Sequence, residues 1–114
     1  MKIEKFEDII AWQRANKLAI DIYKKFKNCR DFSFKNQLQR AVVSITNNIA
    51  EGFERKGNKE FIRFLYIAKG SCGETRSMLY MALKLEYISD LDFKIFYNLS
   101  VEISKILSGL IKTL

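Results

Sequence analysis

The chemical repertoire of this chain is 13 carboxylates, 20 lysines and arginines, two cysteines and no histidine. Without histidine, no side chain has an ordinary pKa near neutrality, so acid–base work would fall to carboxylates with displaced pKa values. The candidates are Glu51 and Glu74, which as a carboxylate pair could take acid and base roles if their environments pushed them apart. A structural reading competes: Arg40, Asn48, Glu51 and Glu74 would form an internal or intersubunit polar network that fixes helix register. Buried polar groups must be hydrogen-bonded, and leaving one unpaired costs about 1–3 kcal/mol. Cys29 and Cys72 stand 43 positions apart and read as small apolar residues rather than as a disulfide or redox pair. No metal-ligand spacing, nucleophile arrangement or cofactor motif is present, so neither enzymatic activity nor a cofactor is expected.

Charge is the stronger signal. The net charge is +7, and residues 1–56 carry 12 bases against 7 acids, whereas residues 89–114 carry 3 of each. Two groups of cations are candidate phosphate contacts: Arg14, Lys17, Lys24 and Lys25, with Lys27 beside them, and Arg55, Lys56, Lys59 and Arg63. Cations on a helical face neutralise phosphates and release counterions, giving affinity that falls steeply with salt. The same stripes also serve as ordinary solvated faces, most simply so for Lys24, Lys25 and Lys27. The second group lies beside Gly57, where flexible backbone can approach a phosphate. Tyr66 and Tyr80 could stack on bases, though at helical spacing an aromatic also suits a core.

The elements that must position these residues are helices. At 114 residues, 48% apolar, with no proline and 5 glycines, the chain has the size of one domain and few helix breakers. Four amphipathic patterns follow one another. Ile9, Trp12, Asn16, Ala19, Tyr23 and Phe26 mark the first. Phe34, Leu38, Ala41, Ile45 and Ile49 mark the second, with Ser33 as a possible N-cap and Gly52 or Gly57 as its stop. The third starts with Asn58 as N-cap and runs through Phe61, Leu65, Ala68, Cys72, Thr75, Leu79, Ala82 and Leu85. Small residues in its middle, Ala68, Gly70, Ser71, Gly73 and Ser77, would let a neighbouring helix approach closely. The fourth opens on Ser89 and Asp92, a pair resembling a capping box, and continues through Ile95, Leu99, Ile103, Ile106, Leu110 and Leu114.

Short breaks near residues 28–33, 53–58 and 87–90 make an antiparallel up-and-down four-helix bundle, all-α and spanning residues 1–114 as one domain, the economical topology. Apolar surface beyond one seam per helix points to self-association or to wide core faces. No stretch of about 18 apolar residues or signal peptide is visible, so a cytoplasmic protein without membrane contact is expected.

Three segments carry a family likeness: FEDIIAWQRA at Phe6–Ala15, QLQRAVVSITNNIAEG at Gln37–Gly52 and KEFIRFLYIAKGSCGE at Lys59–Glu74. In this order they resemble the bacterial 23S rRNA intervening sequence proteins, four-helix bundles whose relatives include the accessory variability protein of diversity-generating retroelements. The resemblance implies an up-and-down bundle, a pentameric homo-oligomer and a basic surface for nucleic acid. Thr46 stands where the family often has proline, which implies a straighter second helix, and Cys72 and Gly73 replace residues more often leucine and alanine. The functional expectation is therefore a basic homo-oligomer that binds RNA or DNA with little sequence specificity. A module that binds another protein and no nucleic acid is the alternative.

Overall fold

In the computed structural model, which describes residues 3–114, a short 3-10 turn at Phe6–Asp8 leads into four helices: α1 Ile10–Lys25, α2 Phe32–Glu54, α3 Asn58–Lys84 and α4 Asp90–Lys112. Each helix packs on its chain neighbours and α4 returns beside α1, closing an up-and-down bundle about 43 Å long. No strand occurs among the described residues. No helix among them is long and apolar enough to cross a membrane.

The helix starts follow local hydrogen-bond chemistry, and two differ from expectation. Asp31, not Ser33, caps α2: its carboxylate accepts the Phe34 N–H at 3.1 Å, satisfying a donor that the helix leaves free. Gly57, not Asn58, occupies the cap position of α3, because the turn there requires a φ of 88° that glycine adopts without strain. Ser89 caps α4 as expected, accepting from the Asp92 N–H at 3.1 Å.

Gly52 does not stop α2, which runs on to Glu54. It lies buried where α2 meets α3, and a Cβ placed there would stand 2.5 Å from the Phe64 Cβ. Of the small residues expected to let a helix approach, Ser71 does meet α2, its hydroxyl 2.9 Å from Ser44 Oγ, whereas within the chain nothing lies within 4 Å of a Gly70 Cβ position and the tightest glycine contact is at Gly52. Thr46 is buried inside an unbroken α2, its hydroxyl donating to the Val43 carbonyl at 2.7 Å.

Two core stripes differ in part from their expected positions, although Ile9, Ala19 and Phe26 of the first and Ile103 of the fourth are buried as expected. On α1 the buried residues are Ala11, Ala15, Leu18, Ala19 and Ile22, while Tyr23 is exposed and Trp12 packs edge-on against Phe6 at 5.2 Å. On α4 they are Phe96, Ser100, Ile103 and Leu107, and Ile95 is exposed. Leu85, expected in the α3 stripe, is also exposed. The core combines the fully buried aliphatic side chains of Leu18, Ile22, Leu38, Ile45, Ile49, Leu65, Leu79, Ile103 and Leu107 with the buried rings of Phe26, Phe34, Phe61, Phe64 and Phe96. Each such side chain contributes roughly 1.5–3 kcal/mol through removal from water.

Candidate nucleic-acid interface

Lys24 and Lys25 lie at the end of the bundle opposite the α2–α3 turn, whereas Arg14 and Lys17 lie along the first half of α1. Lys24 and Lys25 end α1, and Lys25 shares a cleft with Arg30, Asp31 and Tyr87. Arg55, Lys56, Lys59 and Arg63 surround the α2–α3 turn, where a cleft is lined by Phe53, Arg55, Gly57, Asn58, Phe61 and Leu114.

Ion pairing separates the cations further. Arg14 is bound to Glu102 of α4 at 2.6 Å, Lys17 to Asp21 at 2.8 Å and Lys25 to Asp92 at 3.0 Å. These carboxylates spend the first group's charge locally; only Lys24 among its four has no ion pair among the described residues. At the turn, Arg55 is paired with Glu51 at 2.6 Å and Arg63 with Glu60 at 3.0 Å. The bond to Arg63 holds the Glu60 carboxyl below its usual range, and Arg63 is in turn held more firmly protonated by Glu60. Lys56 and Lys59 are exposed and make no ion pair among the described residues.

Phe64 organises this end. The Arg55 and Arg63 guanidinium carbons lie 5.1 and 4.7 Å from its ring centroid, within cation–π range. A guanidinium resting on an aromatic ring keeps outward-facing N–H donors while losing rotamer freedom. Sequence reading missed this role of Phe64; the signal was its place next to Arg63, but Arg55 is nine positions away across a turn. Tyr66 and Tyr80, the candidate stacking residues, are both exposed, and Tyr80 packs against Phe93 and Tyr97 with ring centroids 5.1 and 5.4 Å away.

The four-residue polar network does not form within the chain. Asn48 donates to the Ser44 carbonyl at 2.7 Å and hydroxyl at 2.8 Å, and the Ser71 hydroxyl of α3 donates to Ser44 Oγ at 2.9 Å. The register-setting contact between α2 and α3 is thus Ser44–Asn48–Ser71. Glu51 turns to Arg55, whereas Arg40 and Glu74 are exposed and make no ion pair among the described residues.

Glu51 and Glu74 are no carboxylate pair either. The Ser44–Ser71 and Gly52–Phe64 contacts fix α2 and α3 as antiparallel neighbours, with Glu51 level with Phe64. Glu74 lies ten residues further along α3, about 15 Å at 1.5 Å per residue. That gap is wider than two carboxyl groups sharing one reacting centre span. No group of three or more histidines, cysteines or acids placed to hold a metal occurs among the described residues.

The comparisons with known proteins agree with this architecture. The family described as 23S rRNA-intervening sequence protein matches residues 7–109. The chain belongs to that family. A crystal structure of a protein of unknown function from the S23 ribosomal protein family, from Bacteroides thetaiotaomicron, is similar at a TM-score of 0.84 and 30% identity. The likeness covers 90% of this chain and 96% of that one. No curated protein matches the chain. The family match spans all four helices, so the Gly57 turn with its cations and the Ser44–Ser71 seam both lie inside the shared 23S rRNA-intervening sequence domain.

Proposed function

We propose that this member of the 23S rRNA-intervening sequence family is a non-enzymatic, basic homo-oligomer that binds RNA or DNA through phosphate contacts with little sequence specificity. One observation carries this reading: four cations converge on the Gly57 turn, two of them, Lys56 and Lys59, without an ion-pair partner among the described residues. The other two, Arg55 and Arg63, are held in place by Phe64. The family's link to 23S rRNA by name supports a nucleic-acid partner. Assembly into a ring, a pentamer by the resemblance, would repeat the turn around an axis and multiply a weak monomer interaction. Such a protein would act in the cytoplasm.

The site narrows accordingly. Arg55, Lys56, Lys59 and Arg63 make the primary contact; Lys24 contributes at the far end, and Arg14, Lys17 and Lys25 are engaged by carboxylates.

Fluorescence anisotropy with labelled RNA and DNA tests the reading. Binding should weaken linearly in log–log terms as salt rises, with a slope near −0.7 per phosphate contacted for single strands. Lys56→Glu with Lys59→Glu should lower affinity by about tenfold or more, the effect of reversing two phosphate contacts. Absence of binding at low salt and high protein concentration would overturn it. The alternative, a protein-binding module, is favoured by the exposed apolar residues Tyr66, Ile67 and Met81 on α3. A captured protein that survives nuclease treatment would support that reading.

A further inference from the structure

We infer that the outer face where α3 meets α4 stacks an unpaired base of single-stranded nucleic acid on Tyr80, with Arg76 and Lys84 taking phosphates on either side. The inference rests on the nucleic-acid reading above and goes beyond it, naming the form of the ligand and a second surface that holds it by a base. Tyr80 lies about 30 Å along α3 from Lys59 at 1.5 Å per residue, so this face is separate from the Gly57 turn.

Helical spacing sets the row. Arg76, Tyr80 and Lys84 follow one another at intervals of four residues, which places the ring between two cations on one side of α3. Lys84 is exposed, and Tyr80 is 53% exposed. From α4, Phe93 and Tyr97 stand at the same interval, with the exposed Lys94 beside them. Their rings are stacked on each other at 5.4 Å and 27°, and Tyr80 meets them at 5.1 and 5.4 Å with its plane turned by 53° and 70°. Tyr80 is thus propped from α4 while half of its surface faces solvent. A base arriving there meets a ring already held in position.

Arg76 adds a polar demand that the chain does not meet. Its guanidinium lies along the backbone of Gly73, with Nη2 3.7 Å from where a Cβ would stand. Nη1 is enclosed and has no hydrogen-bond partner among the described residues. An enclosed donor on a charged group is costly to leave unpaired, and a phosphate oxygen one turn from Tyr80 would accept from it. The row therefore combines a donor that lacks an acceptor with a ring that offers a flat apolar surface. A nucleotide satisfies both. A duplex presents the phosphates but keeps its base faces stacked inside, so the single strand is the form that fits. Every base has a π-face, which makes the preference one of strand form rather than of sequence.

Fluorescence anisotropy tests the assignment with a labelled oligodeoxythymidine, its duplex with oligodeoxyadenosine and an abasic strand of equal length. Circular dichroism verifies that each substitution leaves the helices intact. The wild type should bind the single strand about tenfold more tightly than the abasic strand, the scale of one stacked base. Tyr80→Ala should erase that ratio while leaving duplex and abasic affinities unchanged, and Tyr80→Phe, which keeps the ring, should retain it. Arg76→Gln should weaken the single and abasic strands alike and reduce the salt slope by about one contact. No binding of any strand by the wild type overturns this site and the nucleic-acid reading together. Single-strand binding that equals abasic binding, or that Tyr80→Ala leaves unmoved, overturns the stacking alone and leaves the Gly57 turn in place. A loss in Tyr80→Phe as large as that in Tyr80→Ala overturns the role of the ring. A protein partner released by Tyr80→Ala, with single-strand affinity unchanged, assigns the face to that protein and overturns the inference.

Discussion

The Tyr87 hydroxyl donates to the Asp31 carboxylate at 2.7 Å, joining the turn after α3 to the N-terminus of α2 across 56 positions of sequence. The other Asp31 oxygen accepts the Phe34 N–H, so one carboxylate caps a helix and ties down a loop. The Tyr87 ring also meets Phe34 edge-on at 5.3 Å. The Tyr87 hydrogen bond, then the Phe34 N–H, holds the Asp31 carboxyl below its usual range despite opposing desolvation. The bond to Asp31 likewise holds the Tyr87 phenol above its usual range.

Linkage gives each shift a pH window. Asp31 has a depressed folded pKa, so its contribution is complete above an unfolded value of about 3.9 and is lost as pH falls through the folded value. Tyr87 has a raised folded pKa, so its contribution is complete below an unfolded value of about 10 and is lost as pH rises through the folded one. Tyr87→Phe should therefore lower the melting temperature at pH 7, and the difference from wild type should shrink in acid. Thermal melts at pH 3 and pH 7 check this; an undiminished gap at pH 3 would show that the hydroxyl acts through something other than the ionised Asp31.

Glu86, one residue earlier, adopts a φ of 61°, the one positive value among the described non-glycine residues. It sits where α3 ends in a six-to-one bond from the Tyr87 N–H to the Ala82 carbonyl at 2.8 Å, with Glu86 N–H reaching Leu83 at 3.0 Å. This terminus usually takes glycine in the left-handed position. Glu86→Gly should stabilise the protein by about 1 kcal/mol, because the side chain's steric cost in that conformation is removed. Urea denaturation measures it, and a loss of stability would mean that the glutamate supplies more than its backbone.

Gly52→Ala should do the reverse. A methyl group 2.5 Å from the Phe64 Cβ and 3.2 Å from the Phe61 ring forces α2 and α3 apart. Overpacking of this kind costs about 1–3 kcal/mol, more than the gain of about 1 kcal/mol in helix propensity. Gly73→Ala, whose added Cβ would meet only the Arg76 Nη2 at 3.7 Å, should keep that gain. The two substitutions move stability in opposite directions if close packing at Gly52 governs the seam.

These positions explain what could be read in advance. The order of four helices was legible because apolar spacing and the Ser89 cap are local features. Gly52 stood beside Gly57 as a candidate helix stop because its reason for being glycine is Phe64, on another helix; a glycine near a helix end looks the same whether it terminates or packs. On α4, apolar residues cover so much of the circumference that spacing alone could not choose between Ile95 and Phe96. The cations at the Gly57 turn were visible, but the neutralising partners were not: Glu102, which engages Arg14, is 88 positions away. The Arg55 and Arg63 arrangement over Phe64 depends on a turn whose geometry only the folded chain supplies.

The cysteines should differ in reactivity. Cys72 is fully buried in α3, and burial pushes its thiol up to about 12. The thiolate is the reactive form, so Cys72 should resist a thiol reagent at pH 8 while the chain is folded. Cys29 is only partly buried. Titration with a chromogenic disulfide should count one fast thiol per native chain and two in denaturant. Two fast thiols in the native protein would require opening of the α3 core on the timescale of the assay.

Glu51 and Glu60 provide a test of the nucleic-acid surface that gains function instead of removing it. Each carboxylate now occupies an arginine of the Gly57 turn, at 2.6 and 3.0 Å. Glu51→Gln and Glu60→Gln keep side-chain size while releasing Arg55 and Arg63 to an external phosphate and removing a repulsive charge. Each should tighten binding by roughly twofold to fivefold at low salt, the scale of one exposed charge pair. The advantage should fade as salt screens the turn. Because Phe64 still holds both guanidinium groups near its ring, their geometry survives the loss of the carboxylates. Unchanged affinity in both variants, with wild-type binding intact, would move the contact surface away from these arginines and leave Lys56 and Lys59 to account for it.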